Sequence, residues 1–113
     1  MIRIQFNHDQ EENITMFTMS GHAEAGPHGQ DIVCAGASAV SIGAINAVHA
    51  LCGVDLVVDL AGSEGGYLHC EVPENLDTKT YDDVQLLLKG MELSLQSMEE
   101  SYRSFMSIET DRR

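Results

Sequence analysis

Hydrophobic and polar positions along the chain change period four times, and each change marks an element. In residues 1–8, Ile2, Ile4 and Phe6 share one side while Arg3, Gln5 and Asn7 share the other. That alternation is the period of a strand with one buried face. Residues 14–20 are β-branched or bulky and read as a second strand. The polar turn Asp9-Gln10-Glu11-Glu12-Asn13 between them makes a hairpin with a loop of about five residues. Residues 32–52 run without Asp, Glu, Lys or Arg and are rich in Ala, Gly and Ser, predicting a helix lined with small residues. Asp31 stands where its N-cap belongs and Gly53 where it should stop. Residues 54–60 and 67–72 read as strands three and four around the turn Gly62-Ser63-Glu64-Gly65-Gly66, and Pro73 ends the pair. From about residue 80 to 102 the spacing of Val84, Leu87, Leu88, Met91, Leu95, Met98 and Tyr102 fits a 3.6-residue period, an amphipathic helix. Residues 104–109 predict a short last strand, and the end 110–113 is expected to fray. The order ββαββα(β) predicts an α+β fold: one domain over residues 1–113, with a mainly antiparallel sheet and two helices packed on it.

Composition sharpens this picture. At 113 residues and 43% apolar, the chain is too short for two self-sufficient cores and close to the globular average. Eighteen acidic against six basic residues, a net charge of -12, argue against direct binding to nucleic acid or an anionic membrane. The uncharged run 32–52 is long enough to span a bilayer. Its small residues, Asn46, His49 and acidic flanks favour a buried helix instead. Cys34, Cys52 and Cys70 are odd in number and widely spaced, with no Cys-x-x-Cys pair. Reduced thiols and a start without the apolar core of a signal peptide imply the cytoplasm.

The candidate chemistry lies at residues 21–34. A long loop holding Gly21, Gly26 and Gly29, with backbone freedom to move, joins the second strand to the helix. His22 sits in that loop and Cys34 is the third residue of the helix, where the dipole and unpaired N–H groups favour a thiolate. An imidazole nearby completes the minimum for a cysteine nucleophile, and the same N–H groups would hold an oxyanion, that of Cys34 among them. The Asp31 carboxylate opposes the thiolate unless it turns away into the cap or pairs with His22. Ser38, one turn after Cys34, would reach the thiol or bond back to a helix carbonyl. Cys52, Cys70, His8, His49 and His69 read as packing or structural side chains. His28 reads as a bystander, and a His22–His28–Cys34 metal site wants a fourth ligand, so no metal or cofactor is expected.

Gly21-His22-Ala23, a short glycine-containing gap, and then Asp31-Ile32-Val33-Cys34-Ala35 with Ser38 resemble the ribosomal-processing cysteine protease family, Prp. The resemblance covers nearly the whole chain. It implies a cysteine endopeptidase that removes the N-terminal extension of large-subunit ribosomal protein twenty-seven, cutting after a motif ending in phenylalanines. It implies Cys34 as nucleophile and His22 as general base and acid, with Asp31 and Ser38 at motif positions of supporting role. It also implies a homodimer and a loop that moves when the N-terminal segment of the ribosomal protein precursor binds. Gly36 departs from the commoner alanine, as do Glu24, Pro27 and His28 in the loop. The competing reading is a non-catalytic acidic module that binds a basic ribosomal protein; Cys34→Ala separates the two.

Overall fold

The structure, a computed structural model, describes residues 1–23, 25–27, 31–60 and 66–112. Its elements are β1 (Ile2–His8), β2 (Ile14–Ser20), α1 (Ile32–Cys52), β3 (Val57–Leu60), β4 (Tyr67–Glu71), α2 (Thr78–Ser101) and β5 (Met106–Arg112). The expected α+β class and element order hold. Five strands form one sheet in the order β3-β4-β2-β1-β5, antiparallel except where β5 runs parallel to β1.

The alternation read in β1 decides which face is covered. Ile2, Ile4 and Phe6 are buried, and across the sheet Phe17, Met19, Leu68, Cys70 and Met106 join them. α2 lays Val84, Leu88, Met91 and Leu95 onto this face, while Leu86 and Leu93 stay exposed. α1 packs against α2, and its buried residues are Val33, Ala37, Ser41 and Val48. Gly36 faces the same neighbour: a Cβ there would sit 3.0 Å from Met98 Cε, so the departure from alanine makes room for methionine. Although α1 is long and apolar enough to cross a membrane by length and composition, one stripe of it is packed on protein. The expected burial of this helix is confined to that stripe. Ile32, Ile42 and Leu51 on its other faces are exposed.

Several boundaries differ from the sequence reading. β3 starts at Val57 rather than residue 54, although Val54 and Leu56 are buried. Its partner β4 offers a ladder only as far as Glu71, opposite Val57, and Pro73 follows. α2 starts at Thr78, since Asp77 accepts from the Thr80 N–H and caps the helix. The largest difference is β5, which continues to Arg112 where fraying was expected. Its whole length pairs with β1, from Ile2 opposite Met106 to His8 opposite Arg112, and Arg112 reaches Glu12 at 2.6 Å. A polar strand such as this is held by its ladder and carries little hydrophobic signal.

Candidate active site

Three chain segments converge at the end of the sheet where β2 stops, β4 starts and α1 begins. Asp31 is the N-cap of α1, with extended backbone and a carboxylate that accepts from the Val33 and Cys34 N–H groups, each at 3.0 Å to Oδ1. Its other oxygen, Oδ2, accepts from the Ala25 N–H at 3.0 Å and from the Cys34 thiol at 3.3 Å. Asp31 is buried, and these donors hold its carboxyl below the ordinary carboxylate value, the Cys34 backbone N–H foremost. The carboxylate thus does not choose between capping and facing the thiol; it does both, one oxygen to each.

Cys34 is half-buried on the first turn of α1. Its Sγ is placed to donate to Asp31 Oδ2 and accepts from the Ala23 N–H at 3.2 Å, so the sulfur is held between a loop amide and the cap. This geometry also corrects one expectation about the oxyanion. The Cys34 N–H is not unpaired at the helix start, because Asp31 Oδ1 occupies it. The cap residue that starts the helix also consumes the donor.

His22 is exposed and follows Gly21, the last hinge of β2. The Gly21 N–H donates to the Gly66 carbonyl at 2.8 Å, and its φ of 86° is one that glycine tolerates. A side chain at Gly21 would overlap the Met1 carbonyl oxygen, so the residue leading into β1 demands glycine at this spot. Ala23, next along, is buried. The backbone on either side of His22 is therefore pinned, to the start of β4 before it and to the Cys34 sulfur after it.

Of the other residues singled out, Ser38 is exposed, and among the described residues its hydroxyl makes no hydrogen bond; its carbonyl accepts from Ser41 at 3.4 Å. Gly26 is exposed, and Glu24, His28 and Gly29 lie outside the described residues. Among the described residues no group of three or more His, Cys, Asp or Glu is arranged to hold a metal. Cys70 is buried in the sheet, which pushes its thiol up to about 12, and Cys52 packs at the end of α1. His8 pairs with Glu92 at 3.0 Å beneath α2, His49 with Asp55 at 2.6 Å, and His69 bridges Thr18 at 2.8 Å and Glu71 at 3.1 Å. Each of these three histidines has the partner that a structural role requires. What the sequence reading missed is the part played by Met1, Ala23 and Gly66. Two act through backbone atoms and one through a missing side chain, and none carries a residue-type signal.

Comparison with known proteins bears on the family of the chain. The family model described as Cysteine protease Prp matches residues 1–107. The Ribosomal processing cysteine protease Prp of Bacillus subtilis (strain 168) is 40% identical over 111 residues, 98% of either chain. Among solved structures, the essential ribosomal processing protease Prp from S. aureus in complex with a covalently linked product peptide superposes with a TM-score of 0.84. It is 35% identical, over 98% of this chain and 100% of that one. The same S. aureus protease with a substrate peptide gives a TM-score of 0.77 at 36% identity, with the same coverage. These likenesses span both motifs, and they decide between the two readings left open by the sequence in favour of an enzyme. The chain belongs to the Prp family and is a cysteine protease.

Proposed function

We propose that this protease removes the N-terminal extension of large-subunit ribosomal protein twenty-seven, cutting after a phenylalanine-containing motif, with Cys34 as nucleophile and His22 as general base and acid. The observation that carries the reading is the position of the Cys34 thiol on the first turn of α1, hydrogen-bonded to the backbone of the residue that follows His22. Support for the substrate comes from the relatives, which are named ribosomal processing proteases.

The steps follow from ordinary thiol chemistry. His22 takes the thiol proton, and the Sγ attacks the carbonyl carbon on the phenylalanine side of the cut. The carbonyl oxygen becomes an oxyanion that needs N–H donors. The Cys34 N–H can serve only when Asp31 Oδ1 releases it, so substrate must loosen the cap or use other donors. The imidazolium then protonates the departing amine as the C–N bond breaks, leaving a thioester. Water attacks the thioester, with His22 taking its proton and returning it to the sulfur.

Substrate binding is accompanied by movement of the loop, and the Ala23 and Ala25 amides report it, because both are hydrogen-bonded at rest, to Cys34 and to Asp31. Their hydrogen exchange should change when an uncleavable peptide binds; unchanged protection would refute loop movement. The enzyme works in the cytoplasm as a homodimer, without nucleic acid, membrane or cofactor. The exposed Ile32, Ile42 and Leu51 of α1 supply apolar surface for the dimer, and sedimentation equilibrium showing only monomer at micromolar concentration would remove that part of the reading.

The test of function uses a peptide of the ribosomal protein's N-terminus and mass spectrometry under reducing conditions. Wild type should cut after the phenylalanines. Cys34→Ala should bind the peptide and leave it whole, and His22→Ala should lose about 100-fold or more in kcat. Cutting by Cys34→Ala, or none by dimeric wild type, would overturn the assignment.

A further inference from the structure

Gly66 immediately precedes β4 and has a φ of 87°, a conformation L side chains rarely adopt. The space beside its α-carbon is already taken. A Cβ placed there would lie 2.7 Å from His22 Nε2, 3.2 Å from Cε1 and 3.4 Å from Cδ2. The imidazole thus takes up the space a Cβ at Gly66 would need, while the Gly66 carbonyl accepts the Gly21 N–H at 2.8 Å. One residue holds both the ring of His22 and the backbone just before it. The backbone just after it is held by Cys34, through the Ala23 N–H.

We propose that Gly66 is a positioning residue of the protease: its hydrogen side is the seat that fixes the His22 imidazole for proton transfer with Cys34. The inference rests on the reading of His22 as base and acid, and adds a part of the site contributed by the chain leading into β4. A contact of 2.7 Å is shorter than carbon and nitrogen tolerate, so any side chain at Gly66 must displace something. The atoms it meets belong to the tip of an exposed side chain, which rotates away more easily than the backbone shifts. The fold then survives while the imidazole is misplaced by about an ångström, and a misplacement of that order costs about 100-fold in rate. A glycine is required here twice over, by φ and by the ring, and the two demands can be separated. Gly53 has a φ of 66° with nothing within 4 Å of its would-be Cβ, so Gly53→Ala carries the backbone strain alone.

The experiment compares wild type, Gly66→Ala, Gly53→Ala, His22→Ala and the Gly66→Ala/His22→Ala double variant. It measures kcat, KM, Tm and the His22 Cε1–H resonance by NMR. Gly66→Ala should lose about 100-fold in kcat with KM within about threefold, and its His22 resonance should move. Gly53→Ala should lower Tm and keep kcat within about twofold. In the His22→Ala background, Gly66→Ala should cost no further activity and less Tm than in wild type, because the ring it meets is gone. This thermal comparison holds even if the single variant folds poorly. Equal loss of Tm in both backgrounds, or an unchanged kcat in folded Gly66→Ala, would overturn the proposal. Full activity of His22→Ala would instead remove the base reading, while the resonance and the thermal coupling would still report whether Gly66 seats the ring.

Discussion

Asp31 and Cys34 show how much one residue's placement can carry. The carboxylate that starts α1 also holds the loop at Ala25 and takes the thiol proton as a hydrogen bond. A negative charge 3.3 Å from the sulfur works against a thiolate. Asp31→Asn keeps an acceptor for the cap and removes the charge; Cys34 should then alkylate faster at neutral pH, as read by site-resolved mass spectrometry. Slower or equal labelling would show that the carboxylate does not restrain the thiol. Cys70 serves as internal control, since its thiol is pushed up to about 12 by burial and should stay unlabelled. The same carboxyl fixes a pH dependence. Its value in the folded protein is depressed below the ordinary 3.8, so its contribution to stability is complete above that pH. The contribution is lost as pH falls through the lower folded value. Comparing acid melts of wild type with Asp31→Asn should show the two curves drawing together below about pH 4.

Among the elements, β2 and α2 are tied by a buried amide that no hydrophobic pattern reveals. Gln85 lies on the buried stripe of α2 and is 3% exposed. Its Oε1 accepts from the Ile14 N–H and its Nε2 donates to the Ile14 carbonyl, both at 2.7 Å. It therefore completes the backbone bonding of β2 at its first residue, beside the register shift at His8. Gln85→Leu would leave two backbone groups without partners in the core, at a cost of about 1–3 kcal/mol for each. A urea midpoint lowered by the equivalent of about 2 kcal/mol or more is expected; Leu86→Gln, at a position 72% exposed, should change it little. A midpoint unchanged in Gln85→Leu would show that other groups or water satisfy Ile14.

For the whole molecule, β5 matters more than its composition indicates. It covers the edge of β1, the strand that brings the Met1 carbonyl against Gly21, and Met106 enters the core from it. A chain ending after residue 105 should lose its cooperative thermal transition. One ending after residue 110 should melt cooperatively at a lower temperature, since five of the seven β1–β5 pairs would be retained. A cooperative melt in the shorter form, followed by circular dichroism, would show that β1 and the helices suffice. The acidic surface belongs to this scale too. With a net charge of -12, capture of a basic peptide should weaken as salt is raised, seen as an increase in KM between 50 and 300 mM salt, roughly the range over which screening shortens from about 14 to 6 Å.

Local chemistry wrote much of this protein into its sequence. The alternation of Ile2, Ile4 and Phe6 named the buried face, and the stripe from Val84 to Tyr102 named the helix that covers it. Asp31 and Gly53 bounded α1 to the residue, because caps act on the backbone within one turn. The place of Cys34 on the first turn of α1 could be read for the same reason. What the tertiary structure decided involves partners far apart in the chain. The parallel pairing of β5 with β1, the amide of Gln85 on Ile14 and the ring of His22 on Gly66 all join segments whose proximity no local pattern encodes. Such contacts depend on backbone atoms and on unfilled space, which any sequence offers at many positions and only a completed fold selects.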